Sequence, residues 1–204
     1  MMAARAAAEV AMTIPDPAPA GDTDRNAPRP STLPLVEVIP SSLLDEPLAY
    51  IFADHVRQRM ICSALRRFAL SGKVDRREAD MVVTFLSHDV PLDHEDEEMD
   101  LFPAVRRRAL REDNLGVVFA RLLEDHRRAQ SAVDKIVAEL SVQSAEVVQV
   151  SSAARELMQA YASSESGHLA IENGIVLAIA RIRLTRGDLG AMARRMKARR
   201  GVAH

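Results

Sequence analysis

Apolar side chains recur at spacings of three and four along most of the chain after residue 41, which is the pattern of amphipathic helices. Four such segments follow one another and are separated by short polar stretches. Short connections place consecutive helices side by side and antiparallel, with their apolar faces turned toward one another. The pattern therefore predicts an all-α fold, an up-down-up-down four-helix bundle over residues 42–183.

Each segment has a stripe of residues that defines its predicted inward face. The first helix, with Ser42 as its N-cap and its end at Ser71-Gly72, presents Leu48, Ile51, His55, Cys62, Leu65 and Ala69. The second, from about Asp75 and with a kink predicted at Pro91, presents Val82, Phe85, Leu86, Val90, His94, Glu98, Leu101 and Val105. The third presents Phe119, Leu122, His126, Ala129, Val133, Ile136 and Leu140. The fourth presents Leu157, Tyr161, His168, Ile171, Ile175, Ile179 and Ile182.

The two ends of the chain differ from the bundle. Residues 1–41 hold seven of the ten prolines and lack apolar periodicity, so we expect a disordered tail. Residues 184–204 are predicted to form a short amphipathic helix and tail, capped by Asp188, with Met192 and Met196 on its apolar face. The basic residues of this segment indicate a docked helix rather than a contact with nucleic acid.

The composition limits which cellular compartment and which binding partners are to be expected. A net charge of −2 gives no general reason to expect nucleic acid or a membrane surface as a partner. No apolar run approaches the ~20 residues of a spanning helix. The single cysteine, Cys62, is expected in core packing and fits a reducing compartment. These features favour the cytoplasm.

Two segments have an H-x-x-x-E spacing. They are His94 with Glu98, inside the acidic stretch before Leu101-Phe102-Pro103, and His168 with Glu172. Residues four apart on a helix leave the same face, so each pair offers an imidazole nitrogen and a carboxylate oxygen together. Such a pair suits a borderline divalent metal such as iron, manganese or zinc.

Two further histidines, His55 and His126, lie near the middle of the first and third helices. Either alone would be interpreted as a hydrogen-bonded core residue. With the two H-x-x-x-E pairs, however, each helix supplies one imidazole, and an antiparallel bundle brings all four to one height. Four imidazoles, two bridging carboxylates and one oxo or hydroxo bridge would fill most of the coordination positions of two metal ions. We therefore predict a metal site.

The remaining acidic and histidine residues receive other interpretations. The acidic run 93–100 is expected to be mostly a solvated helix face, with Glu95 as one additional candidate ligand. His88 and His204 are expected at the surface.

Taken together, these motifs resemble the hemerythrin-like family, in its HHE cation-binding branch. The matching segments are Asp54-His55-Val56-Arg57-Gln58-Arg59, His94-Glu95-Asp96-Glu97-Glu98-Met99-Asp100-Leu101-Phe102-Pro103, Asp125-His126 and His168-Leu169-Ala170-Ile171-Glu172-Asn173. The resemblance covers about residues 43–183. It implies a non-haem di-iron centre held by His55, His94, Glu98, His126, His168 and Glu172.

The resemblance also has departures that bear on function. Oxygen carriers of the family have a second histidine on the third helix, whereas the positions one turn from His126 are Leu122 and Gln130. This favours sensing or stress-related redox chemistry with oxygen, nitric oxide or peroxide over reversible oxygen carriage. A di-iron oxidase or peroxidase and a zinc-binding or metal-free interaction bundle are the alternatives. A ferritin-like enzyme needs two E-x-x-H motifs, and this sequence has only one, formed by Glu165 and His168.

Overall fold

The computed structural model describes residues 37–142 and 144–202 and confirms the all-α four-helix bundle. The disordered tail predicted for residues 1–41 falls mainly on residues 1–36, and both these residues and His204 lie outside the described residues. Among the helices that are described, none is both long and apolar enough to cross a membrane.

The bundle helices have the following bounds. The first is α1 (Pro47–Ser71). The second occupies residues 76–108 and consists of α2 (Arg76–Thr84), a π-helical segment (Phe85–Asp89), α3 (Val90–Asp96), a second π-helical segment (Glu97–Leu101) and α4 (Phe102–Arg108). The third is α5 (Leu115–Ser141). The fourth occupies residues 152–183 and consists of α6 (Ser152–Ile171), a π-helical segment (Glu172–Val176) and α7 (Leu177–Arg183).

The first helix begins later than predicted and ends where predicted. Ser42 belongs to a 3-10 turn (Ser41–Asp45), and α1 begins with Pro47, whose missing N–H costs nothing at the first helical position. At the other end, Gly72 adopts a left-handed conformation with φ of +68°, and its N–H donates to the carbonyl of Phe68 at 2.9 Å. A glycine in this conformation is a common helix end, because it has no Cβ to clash.

We expect Gly72→Ala to lower the free energy of unfolding by about 1 kcal/mol, the usual penalty for an L side chain in the left-handed region. Space is not the obstacle, because a Cβ at this position would lie 3.5 Å from the nearest atom, on Arg155. Gly116→Ala is the matched control: it lies inside α5, and a Cβ there would meet nothing within 4 Å. Chemical denaturation of both variants measures the difference, and equal stabilities would contradict the backbone explanation.

The second bundle helix continues past Pro91, where the sequence predicts a kink. The π-helical segment Phe85–Asp89 ends just before this proline, so the irregular backbone hydrogen bonding expected there occurs in the preceding turn. The helix begins near Asp75, as expected, and Asp75 is its N-cap: the side chain accepts a hydrogen bond from the backbone N–H of Arg77 at 2.9 Å.

The inward face of the fourth bundle helix differs from the predicted one beyond its π-helical segment. Ile175 and Ile182 were expected inside, but they are 37% and 76% exposed, whereas Val176 and Ala180 are buried. A π-helical turn accommodates one extra residue and therefore moves the inward position one residue along the chain. The predicted face was wrong in this part of the helix.

Two short strands, β1 (Lys73–Asp75) and β2 (Val147–Gln149), were not predicted. They pair antiparallel, with Val74 opposite Val148, and both of these valines are buried. Three residues are too few for alternation along the sequence to be recognised. The pair joins the connection between the first two bundle helices to the connection between the last two.

The apolar core consists of two clusters, one toward each end of the bundle. The first contains Leu65, Phe68, Leu86, Ile136 and Met158, and the second contains Ile51, Leu101, Phe119, Leu122 and Val176. On every bundle helix the residues between the two clusters include buried polar groups. The polar layer therefore lies at the same height on all four helices.

A C-terminal helix, α8 (Arg186–Arg199), packs beside the second cluster and buries Met192 and Met196, as predicted. Its N-cap is Thr185 rather than Asp188. The Thr185 hydroxyl accepts a hydrogen bond from the backbone N–H of Asp188 at 3.2 Å, and the Asp188 carboxylate accepts one from the backbone N–H of Thr185 at 3.0 Å. This reciprocal arrangement is a capping box, in which Asp188 is the second partner.

Candidate metal centre

A layer of buried polar side chains separates the two apolar clusters, and all four bundle helices contribute to it. Its central members are His55, Gln58, Asp93, Glu97, His126, Glu165, His168 and Glu172. An isolated ionised carboxylate or imidazolium in such a place is strongly unfavourable unless it is paired or coordinates a metal.

One group of possible metal ligands consists of His55, Asp93 and Glu97, whose ligand atoms all lie within 4.8 Å of one another. The Nε2 atom of His55 lies 3.2 Å from Glu97 Oε1 and 3.8 Å from Asp93 Oδ2. All three side chains are buried. These atoms surround a single point between the first and second bundle helices.

A second group consists of Glu97, His126, His168 and Glu172, again with ligand atoms within 4.8 Å of one another. The Nε2 atoms of His126 and His168 lie 3.0 Å apart. His168 Nε2 lies 3.1 Å from Glu172 Oε1, and His126 Nε2 lies 3.3 Å from Glu97 Oε2. Two imidazole nitrogens and two carboxylate oxygens therefore face a common centre.

Glu97 and Glu172 connect the two groups. Glu97 directs Oε1 toward His55 and Oε2 toward His126. Glu172 likewise lies 3.5 Å from His55 Nε2 through Oε2, while its Oε1 faces His168. Each carboxylate thus offers one oxygen to each group, which is how a carboxylate bridges two metal ions.

The hydrogen bonding of these residues leaves donor atoms available. Glu97 Oε2 and both carboxylate oxygens of Glu172 are buried and have no hydrogen-bond partner among the described residues. Buried polar atoms are nearly always satisfied, so such a concentration calls for an explanation. A borderline divalent cation that takes nitrogen and oxygen ligands provides one, and the donor set fits it.

The outer nitrogens of the imidazoles are also held. His55 Nδ1 lies 3.1 Å from the side-chain oxygen of Asn173, and His126 Nδ1 lies 2.7 Å from Glu98 Oε1. Metal-binding histidines usually donate their second ring N–H to such an oxygen, which fixes the ring and the tautomer. This holds for His55 and His126, whose Nε2 atoms face the two groups, whereas the outer nitrogen of His168 is buried and has no hydrogen-bond partner among the described residues.

A model of one protein family, described as the hemerythrin HHE cation-binding domain, matches residues 46–180, which is more than half of the chain. The chain belongs to this family. No curated protein matches the sequence. The matched residues span the bundle that contains the polar layer, and the buried histidines and carboxylates of this layer are groups that could hold a cation.

The structure brings four of the six predicted HHE ligands together: His55, His126, His168 and Glu172. The other two belong to neither group. His94 is half-buried and stacks on the ring of His126, with 3.8 Å between the centroids and 10° between the planes. Glu98 has a side chain that is 38% exposed, and it contacts the outer nitrogen of His126. Metal ligation by His94 and Glu98 stays a prediction, whereas the structure places Asp93 and Glu97 among the possible ligands.

Several further residues lie outside the site. Glu95 is exposed and faces Arg199 at 3.5 Å, and His88 is exposed, as expected. Cys62 is buried in the first apolar cluster, and burial raises the pKa of its thiol to about 12. A neutral thiol in an apolar surrounding is consistent with core packing.

Asp93 and Glu97 were missed because of the way the predicted face was counted. Steps of four from Val90 lead to His94 and Glu98, but each step of four advances 40° beyond a full turn. The structure instead takes a step of three to Asp93 and then steps of four to Glu97 and Leu101, through the π-helical segment. Counting back in fours from Leu101 leads to Glu97 and Asp93 instead, so the spacing alone is compatible with both pairs.

The cluster holds protons when no cation balances it. Burial alone would lower the pKa of His55 and His126, but the close contacts of both rings with Glu97, together with the charges of the nearby carboxylates, raise both to about 9. Burial alone would raise the pKa of Glu97, yet the same two imidazoles hold it well below its usual range. Burial, and then the charge of Glu97, raise the pKa of Glu172 and of Asp93.

These shifts predict that metal binding releases protons and strengthens as the pH rises. A metal ligand must be a neutral imidazole or an ionised carboxylate. Below about pH 9, His55 and His126 carry protons in the metal-free protein, so the cation must displace them. The apparent affinity should therefore increase with pH up to at least about pH 9. Calorimetric titration in buffers of different ionisation enthalpy measures the released protons, and an affinity independent of pH would contradict the protonated cluster.

Proposed function

We propose that this chain binds two non-haem iron ions between its bundle helices and exchanges a small ligand there, such as oxygen, nitric oxide or peroxide. The expected role is sensing or a redox response to stress. One observation carries the proposal: Glu97 and Glu172 each direct one oxygen to His55 and the other to the pair His126 and His168. A single ion would need one such set of donors, whereas two sets with shared carboxylates suit a pair of ions.

Ligand counting supports open positions for a small molecule. Two six-coordinate ions offer about twelve positions. The three imidazoles and Asp93 fill four, and the two bridging carboxylates fill four more, so about four remain. An oxo or hydroxo bridge would take two of them. Iron held in this way supplies binding and redox chemistry toward oxygen, nitric oxide and peroxide.

The protein groups around the site support binding and orientation of such a ligand. The layer lies between two apolar clusters, which keep bulk water away from the centre. Asn173 and Glu98 orient the rings of His55 and His126 from outside.

The third bundle helix favours redox exchange over reversible oxygen carriage. Its one imidazole in the site is that of His126, while Gln130, one turn further on, is exposed and donates a hydrogen bond to Asp134 at 2.8 Å. Leu122, one turn before His126, packs in the second apolar cluster. An iron ion bound on this side would therefore have fewer nitrogen ligands than in the oxygen carriers of the family, and its coordination sphere would be less saturated.

Exposure of the ferrous protein to air tests this function. We expect an absorption change that persists after oxygen is removed and that a chemical reductant reverses, because an under-saturated ferrous pair is readily oxidised. Optical spectra through one cycle of oxygenation, deoxygenation and reduction provide the measurement. Full recovery on deoxygenation alone would indicate a carrier. Repeated turnover of peroxide would indicate the oxidase or peroxidase alternative. Bound zinc with no spectral change would indicate the alternative of a zinc-binding interaction bundle.

A further inference from the structure

The two groups of donors differ in composition. Around His55 lie three carboxylates, those of Asp93, Glu97 and Glu172. We call this position 1. The inward Nε2 atoms of His126 and His168 face the shared carboxylates of Glu97 and Glu172, while Glu98 and Asp125 lie at the outer Nδ1 atoms of the two rings. We call this position 2. Position 1 therefore has one imidazole and three carboxylates, whereas position 2 has two imidazoles and two carboxylates.

Asp93 is built into position 1 rather than incidentally close to it. Its side chain is buried, and its Oδ2 accepts a hydrogen bond from Gln58 Nε2 at 2.6 Å. Gln58 is also buried and lies on α1 three residues after His55, so one helix face positions both the imidazole and the residue that orients the aspartate. Gln58 thereby fixes the Asp93 carboxylate in the direction of His55.

The two donor sets should select cations differently. Carboxylate oxygens suit hard ions such as manganese(II), while imidazole nitrogens favour iron(II) and the later metals. Iron(II) binds more strongly than manganese(II) to most ligands, but the difference in affinity becomes smaller when nitrogen ligands are replaced by oxygen ligands. Position 1 should therefore discriminate less between the two metals and release its ion more readily than position 2.

We propose that Asp93 is a specificity-determining residue: it makes position 1 an exchangeable site that accepts manganese(II), while position 2 retains iron. The inference rests on the proposed function, because it requires two metal positions. It adds that the positions are unequal, that position 2 fills first, and that a mixed manganese–iron pair is an accessible form of the protein.

Competition between the two metals tests the inference. Metal-free full-length protein is incubated anaerobically with iron(II) and an excess of manganese(II), separated from free metal, and analysed for both elements per chain. We expect about one iron and one manganese in the unmodified protein. Asp93→His replaces a carboxylate by an imidazole and should shift the iron-to-manganese ratio several-fold toward iron. Asp134→Asn, on the exposed face of α5, is the control and should leave the ratio unchanged.

Two additional measurements show which metal ion occupies each position. Asp93→Asn removes the charge with little change of shape, so position 1 should lose its ion and total metal should fall to about one iron per chain. Anomalous diffraction at the manganese and iron edges should locate manganese beside His55 and iron beside His168. Two metals per chain with the same ratio in the unmodified protein and in Asp93→His would overturn the inference and leave the proposed function standing. One metal or none in the unmodified protein would overturn the proposed function itself.

Discussion

Glu97→Gln should reduce the metal content from about two ions per chain to fewer than one, because Glu97 is the one residue found in both groups of ligands. Glutamine has nearly the same shape but lacks the negative charge, and its NH2 group cannot serve as a donor to a cation. Both positions would lose an oxygen ligand at once. Metal analysis after anaerobic loading provides the measurement.

The same variant should also be less stable in the presence of metal. A ligand that binds only the folded state adds about 4 kcal/mol at a thousand times its dissociation constant, and this contribution would be lost. The neighbouring residue offers a matched control. Glu98→Gln keeps an oxygen that can accept a hydrogen bond from His126, so its metal content should stay near two. Equal losses in the two variants would show that the inward face of the second bundle helix passes through His94 and Glu98.

Arg199→Ala should lower the free energy of unfolding by about 2–3 kcal/mol, because two buried carboxylates, Asp96 and Asp100, would each lose one of their two arginine partners. Arg199 extends from α8 to two buried carboxylates of the second bundle helix. Its Nη1 lies 2.8 Å from Asp100 Oδ2, and its Nε lies 3.2 Å from Asp96 Oδ1. Arg200 is the other partner of Asp96, at 2.7 Å.

Arg195 provides a matched control for this prediction. It also pairs with Asp100, but half of its side chain is exposed, and Asp100 keeps Arg199 when it is removed. Arg195→Ala should therefore cost about 1 kcal/mol or less. Thermal and chemical unfolding of the two variants, both in the metal-free form, separates this effect from metal binding. Similar small losses in both would mean that the docking of α8 depends on Met192 and Met196 rather than on its ion pairs.

The sequence was sufficient for the fold and for much of the site. Alternating steps of three and four identified the four bundle helices, and the placement of one histidine in the middle of the first and third helices located the polar layer at His55 and His126. The pair His168 and Glu172 could be recognised because His168 lies in α6 and Glu172 is the first residue of the π-helical segment. The ordinary helical spacing therefore still applies between them.

The rest of the site was ambiguous from spacing because the second bundle helix offers two adjacent pairs of possible ligands. Asp93 with Glu97 and His94 with Glu98 differ by one residue, and only the packed structure shows which pair faces inward. The interpretation of the acidic run 93–100 as mostly solvated was wrong for four of its six acids, since Asp93, Asp96, Glu97 and Asp100 are buried. Their partners, such as Arg199 and His55, are distant in sequence and leave no local signal.

The number of iron ions per chain tests the central claim most directly. Metal-free protein, titrated anaerobically with iron(II) and freed of unbound metal, should retain about two irons per chain, because Glu97 and Glu172 each present oxygens to two sets of ligands. Saturation at one iron per chain would contradict the bridging arrangement, and no retained iron would contradict the metal centre as a whole.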